Sequence, residues 1–549
     1  MKDRAPATIE LSAENNFSTT RTINRRSFLR QTVLGVTTMA ALPIVDALSP
    51  TRVSAAEFRR GGILRIASPV TTWKDPAANT DPAVANQIRQ IAEGLTRLDA
   101  SNTVRPWLLE NWKRDNLGRR WTLTLRKNIW FNNGDPLTSE DVVFTLKHWL
   151  ALPFDAPLRQ LFEPYLSVDG IEKVDAHQVR LHLKRPHADV VAYTALPSAV
   201  ILNHRTFEGD FLKNPHGTGP YRLAYFRSGE RCVVKRRTEY WQIGKDQRPL
   251  PYLDQVEFVD MGLTGTDKVE ALTSGAVDLV NPGDTSLEHL FPDLKADPQV
   301  QTYSVASAGT CLLRMIADRA PWRDNRVRLA LKLCQHRQKI LAETCFNEGT
   351  LGQDSHISSV YPEYCYRPTP NYQPERARAL LSMAGFDKGL DTHLHLKTDQ
   401  HAAKRYAEIL AQDAAIADFR IQIHVADQAE AAYNTGLLDL EIEEFPHLPG
   451  VTTAMNLAYG TTIGDMPAPG NHSRWVDGDF TETLAMADAM LETTDRRERL
   501  CRLEDIMQRR GPVGIAFWKN AYGYATHRLQ GFEIVPDSSL NLESVWLFV

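Results

Sequence analysis

Hydrophobic positions recur along this chain first at every second residue and then at every third or fourth. In RRWTLTLRKNIWF, residues 119 to 131, Trp121, Leu123 and Leu125 alternate with Thr122, Thr124 and Arg126. A period of two puts alternate side chains on opposite faces, so the segment reads as a half-buried strand. NNGDP supplies turn residues, and LTSEDVVFTLKHWL then shifts to helical spacing, with Val142, Leu146 and Trp149 in one stripe and Thr138 and Asp141 in capping-box positions. HQVRLHLKRP repeats the strand pattern with Val179, Leu181 and Leu183, and YRLAYFRSGERCVVKRR begins another at Tyr221. From about residue 323 the spacing is mainly helical: DNRVRLALKLCQHRQKIL, QPERARALLSMAGF with Pro374 at its start and Gly385 at its stop, and HAAKRYAEILAQDAAIADF. RIQIHVA and LDLEIEEF are short apolar segments among these helices. Two more helices, roughly 479 to 510, precede the strand-like VGIAFWKNAYGYATH. Alternating strands and helices predict an α/β protein.

A chain of 549 residues exceeds what one hydrophobic core usually supports, so two or three domains are expected. At the N-terminus, NRRSFLR joins Arg25 and Arg26 to Phe28 and Leu29 in the pattern of a twin-arginine export signal. The apolar stretch after it is diluted by threonines and broken by Pro43 and Asp46, too short and polar to span a bilayer. Ser54, Ala55 and Ala56 suit a signal peptidase, so cleavage is expected after Ala56, and no cysteine nearby offers a lipid anchor. Residues 1–56 are therefore expected to be removed, leaving a monomeric, soluble periplasmic protein.

Charge and motifs narrow the chemistry. The first 56 residues carry seven Lys or Arg against four acids, which leaves about −7 of the overall −4 on the remainder. That balance disfavours nucleic acid. Cys-x-x-Cys and His-Glu-x-x-His are absent, so no metal and no cofactor are expected; a Gly-x-Ser-x-Gly elbow and a P-loop are absent too. HGTGPYRL has Gly217 and Gly219, but Arg222 stands where a nucleotide motif needs its third glycine, and a strand follows instead of a helix. Six cysteines leave two alternatives: Cys345 and Cys365 close the loop between them, or the thiols are free and buried.

Several segments recur in a familiar order: GGILRIA, IAEGLTRLD, WTLTLRKNIWFNNGDPLTSEDVVFTL, NPHGTGPYRL with EYW, ALTSGAVDLV, APWRDNRVRLAL, YQPERARALLSMAGF, RERLCRLEDIMQRRGPVGIAFW and LQGFE. In that order they resemble the extracellular solute-binding proteins of ABC importers, family 5, whose members bind oligopeptides, dipeptides and nickel complexes. The resemblance implies a two-lobe periplasmic binding protein of the large type II class, hinged on two crossing strands. Lobe I would comprise 57–306 and 511–549, with an inserted subdomain at about 98–214, and lobe II 307–510. The Gly-Thr-Gly-Pro-Tyr turn would return the chain to the lobe I sheet.

The implied function is capture of a peptide-like or other small organic solute between the lobes and delivery to membrane permease subunits, after export by the twin-arginine translocase. No catalysis is implied. A nickel or metal-chelate binder and, more remotely, a secreted hydrolase are the alternatives. Trp73 and Asp75 follow the first strand, where the family runs a loop past the cleft. Phe445 falls where the family offers an aromatic ring, with His447 just beyond. Arg314 would meet a ligand carboxylate or pair with Asp318 or Asp324, and His356, Ser358 and Trp475 are further candidates. Peptide binders carry an aspartate shortly after that ring; here Pro446, His447, Leu448 and Pro449 follow it, so Glu443, Glu444 or another acid replaces it, or the ligand lacks a free amino terminus.

Overall fold

A twelve-stranded mixed sheet forms the spine of the structure, a computed structural model that describes residues 59–262, 264–397, 400–426, 439–462 and 466–548. Arg25, Arg26 and the expected cleavage at Ala56 lie outside the described residues. In chain order the strands are β1 (Ile63–Ala67), β2 (Tyr221–Arg227), β3 (Arg231–Arg236), β4 (Gln255–Val259), β5 (Leu279–Val280), β6 (Val300–Met315), β7 (Gly349–Leu351), β8 (Leu390–Lys397), β9 (Phe419–Ala426), β10 (Leu440–Phe445), β11 (Val513–Ile515) and β12 (Phe517–Thr526). Across the sheet they run β9-β8-β10-β6-β12-β5-β1-β4-β3-β2, with β7 on β12 and β11 on β6.

Two long strands belong to both halves of this order. Residues 300–309 of β6 pair antiparallel with β12, and residues 310–315 pair with β10 and β11. The register shifts between Ala306 and Gly309, where a bulge bends the strand. On the β10 side, Cys311, Leu313 and Met315 enter a core with Leu440, Ile442 and the helices Asn325–Leu333 and His401–Ala415, and β8 and β9 extend the sheet in parallel. On the β1 side, Leu64, Ile66, Val256 and Phe258 form a separate core with Tyr221.

The strand read at 119 to 131 is Arg120–Leu125, in a four-stranded sheet with Leu109–Arg114, Gln178–His182 and Ile171–Asp175. Trp121, Leu123 and Leu125 bury against Trp149 of the helix Ser139–Ala151, whose capping box forms as the sequence predicts: Thr138 N–H donates to Asp141 at 2.8 Å. Gly217 and Gly219 cross the backbone of residues 90–92 so closely that a Cβ at Gly217 would stand 2.1 Å from the Ile91 carbonyl oxygen. No other residue fits such a crossing.

The closure of Cys345 on Cys365 is corrected, while free, buried thiols are found at Cys232, Cys311, Cys334 and Cys345. Cys365 bonds to Cys501, 136 residues away, while Cys345 is a free, buried thiol. Cys345 ends the helix Arg337–Cys345 on its inward side, packed with Leu341 in the β10-side core. Cys501 lies on the helix Thr493–Arg510, which passes over the loop that carries Cys365; the shared helix Asp505 and loop Arg367 form an ion pair beside the bond at 2.8 Å.

Candidate functional site

Period-two alternation decides which side chains face the cleft. In LDLEIEEF, Leu440 and Ile442 point into the core, which leaves Glu441, Glu443 and Phe445 on the opposite face of β10. On the neighbouring β6 the same rule places Leu312 and Arg314 there, with Arg314 opposite Glu441 and Leu312 opposite Glu443. This face floors one chamber, and its last residue, Phe445, also lines a second chamber beside it.

Chamber one, about 310 Å³, has mostly apolar walls from Pro157, Leu196, Pro197, Leu448, Leu457 and Tyr459. Arg314 and Glu443 lie at its floor, and Asp81 and Asp537 enter from the β1 side. Chamber two, about 380 Å³, is more polar and contains Lys397, Lys519, Glu288 and Glu444. Phe445, Pro446 and His447 line both and form the partition. Such volumes fall in the range of small-molecule sites. A larger cavity, about 650 Å³, lies beyond Tyr459 against residues 154–185, but none of its lining residues belongs to the twelve-stranded sheet. Strands of that sheet line both chambers: β6, β10 and β11 in chamber one, and β6, β8, β10 and β12 in chamber two.

Arg314 is held between two carboxylates. One guanidinium nitrogen donates to Glu441 at 2.5 Å and another meets Glu443 at 2.9 Å, while its Nε is buried without a partner. The two acids hold the Arg314 charge firmly, and burial pushes the Glu443 carboxyl above its ordinary range. Neither Asp318 nor Asp324 is its partner: Asp318 pairs with Arg474 and Asp324 with Arg326. Both lie past the end of β6, whereas Arg314 faces β10. In chamber two, buried Lys519 donates to Glu288 at 2.6 Å and to Glu444 at 3.1 Å, which raises its affinity for a proton despite burial.

His447 accepts the Ala308 N–H at Nδ1 (2.9 Å), so its proton is on Nε2, 2.9 Å from the Asn102 side-chain oxygen. Burial pushes its pKa down to about 3. Phe445 packs on the imidazole of His356 at 4.6 Å, and His356 Nε2 shares a hydrogen bond with Tyr459 at 2.8 Å. Trp475 stands edge-on to Tyr459 at 5.8 Å, on the side away from the chamber. His356 and Trp475 thus stand behind the wall.

Three more candidates, like His356 and Trp475, line neither chamber. Trp73 is buried between Phe211 and Phe226 in the β1-side core, because the chain turns inward after β1. Asp75 caps a short 3-10 helix by accepting the Ala77 N–H and pairs with His148 at 2.6 Å. Ser358 is fully buried, its hydroxyl accepting the Val360 N–H at 3.5 Å. Asp81, Asp537 and Tyr459 in chamber one, and Glu288, Lys397 and Lys519 in chamber two, are among the lining residues that sequence reading missed. Asp81 carries only a helix-capping signal before Pro82, and it does accept the Ala83 N–H at 2.8 Å. Among the described residues no group of three or more His, Cys, Asp or Glu is disposed to hold a metal. No helix among them is long and apolar enough to cross a membrane.

The sequence profile described as "Bacterial extracellular solute-binding proteins, family 5 Middle" matches residues 103–446. The chain belongs to that family. Among relatives, glutathione-binding protein GsiB of Salmonella choleraesuis is 24% identical over 397 residues, covering 72% of this chain and 74% of the relative. Di/tripeptide-binding protein 1 of Pseudomonas aeruginosa is 23% identical over 544 residues, 93% of this chain and 96% of the relative. The solved oligopeptide-binding protein AppA of Bacillus subtilis, in complex with a nonapeptide, superposes with a TM-score of 0.75 at 17% identity, over 90% of this chain and all of the other.

Proposed function

We propose that this family 5 protein is exported by the twin-arginine route and captures a peptide-like or other small organic solute between two lobes. It then delivers the solute, chemically unchanged, to the permease of an ABC importer. The observation that carries this reading is the partition Phe445-Pro446-His447, which lines both chambers where the halves meet. The lobes we assign are 57–306 with 511–549, and 307–510, hinged at the β6 bulge between Ala306 and Gly309 and at the junction of β11 and β12. A ligand that touches both lobes binds the closed arrangement better and shifts the population toward it. GsiB, the di/tripeptide relative and AppA are named for peptides or glutathione, which supports an organic solute. The Cys365–Cys501 bond supports an oxidising compartment.

Thermal-shift screening of the exported protein against peptides, conjugated amino acids, sugars and metal chelates should find a stabilising solute, and X-ray scattering should show contraction when it binds. Turnover of that solute, or binding without contraction, defeats the reading. Replacement of Arg25 and Arg26 by Lys together should strand the precursor in the cytoplasm; unimpaired secretion would refute the export route.

A further inference from the structure

Charge in the two chambers is unequal. Asp81, Asp284, Glu288, Glu443, Glu444 and Asp537 line them, against Arg314, Lys397 and Lys519. Nearby partners reduce the imbalance without reversing it. Lys268 pairs with Asp284 and Arg89 acts on Asp537, but Glu441 adds a further acid behind Arg314. The local arrangement in chamber one is sharper. One guanidinium serves two carboxylates, and the side chains of Arg314 and Glu441 are 5% and 6% exposed whereas that of Glu443 is 23% exposed. Glu443 is therefore the member of the triad that an incoming solute reaches.

An anion entering chamber one would find its only cationic floor group already shared by two carboxylates. It would be desolvated beside surplus negative charge. A cation would meet Glu443 and release that imbalance. Arg314 itself, 5% exposed and with its Nε buried, stays behind the two carboxylates and out of a solute's reach. The remaining wall, from Leu196, Leu448, Leu457 and Phe445, is apolar.

Resting on the solute-capture reading, we propose that chamber one selects a monocationic solute with an apolar body, that Glu443 receives the cation, and that the Arg314 triad excludes carboxylates.

Three probes with one scaffold separate charge from shape: leucyl-leucinamide (cationic), N-acetyl-leucyl-leucinamide (neutral) and N-acetyl-leucyl-leucine (anionic). Calorimetry on the exported protein should give the cationic probe at least a tenfold lower Kd than the neutral one, and no heat with the anionic probe. Glu443→Gln should abolish the preference while Glu443→Asp, which keeps the charge, retains it, with melting temperatures confirming that both variants fold. Neutral or anionic probes binding as tightly as the cation, a preference that survives Glu443→Gln, or no heat with any probe overturns the proposal. The solute-capture reading is judged separately: an anionic or neutral solute that contracts the protein in scattering leaves it standing while the charge assignment falls.

Discussion

His447 and Asn102 face each other at 2.9 Å between the imidazole Nε2 and the amide oxygen, where the turn at Asn102 meets the partition between the chambers. The other ring nitrogen accepts the Ala308 N–H at the β6 bulge. One neutral imidazole thus ties three segments that meet at the proposed hinge. Protonation would place a donor against the Ala308 N–H and a charge in a buried site, and the structure resists it.

The pH dependence follows from that resistance. His447 and His356 both titrate at about 3 in the folded protein, lowered by burial, against an ordinary value of 6.5. Between those values the unfolded chain binds protons that the folded chain refuses. Stability contributed by each neutral ring is complete above pH 6.5 and falls as pH drops toward 3, by at most about 1.4 kcal/mol per pH unit per histidine. His447→Gln should therefore be less stable than the parent at pH 7.5, with the gap narrowing by pH 4.5 in urea unfolding. A gap that stays constant would remove His447 from the acid response.

Trp73 and Phe445 should separate stability from binding. Trp73, 4% exposed in the β1-side core, touches neither chamber. Trp73→Ala should cost about 3–5 kcal/mol of stability and leave the affinity of the folded fraction unchanged. Phe445→Ala, at a half-buried partition, should melt within a few degrees of the parent and weaken solute binding about tenfold or more. Reversal of these two outcomes would place the ligand on the other side of β1.

Much of this arrangement was legible in the sequence, for reasons that also explain the failures. Residues Leu440 to Glu443 alternate apolar with acidic, so their facing could be read once the strand was recognised, and Arg314 follows from the same rule on β6; Glu444 breaks the alternation, so Phe445 could not be placed that way. Thr138 and Asp141 declare a capping box within four residues. Trp73 was misplaced because a loop after a strand looks the same whether it passes over a cleft or turns into the core. Asp81 and Asp537 are separated by more than 450 residues of chain and meet only through the fold, as do Cys365 and Cys501. Local periodicity has no access to such pairs.

Glu504 gives the opposite pH dependence to His447. It is fully buried on the helix Thr493–Arg510, neither carboxyl oxygen has a partner, and burial pushes its pKa up to about 8. The unfolded side chain ionises near 4.5. Above that value the unfolded state sheds a proton that the folded state retains, so stability falls as pH rises toward 8. Glu504→Gln should leave the melting temperature nearly unchanged at pH 4.5 and raise it by several degrees at pH 8. Equal shifts at both values would mean that Glu504 is ionised in the folded protein.

The Cys365–Cys501 bond should contribute about 2–4 kcal/mol, chiefly by restricting the unfolded chain between two segments 136 residues apart. Arg367 packs beside it, donating to Asp505 at 2.8 Å, so the local geometry persists in part when the bond is cut. Reductant should lower the melting temperature of the parent, Cys501→Ser should start from that lower value and be insensitive to reductant, and Cys345→Ser should keep the parent's response because its thiol is free. Retention of the full response in Cys501→Ser would show that another pair of cysteines carries the bond. The same measurement on protein recovered from the periplasm and from the cytoplasm tests the compartment: only the exported form should respond to reductant.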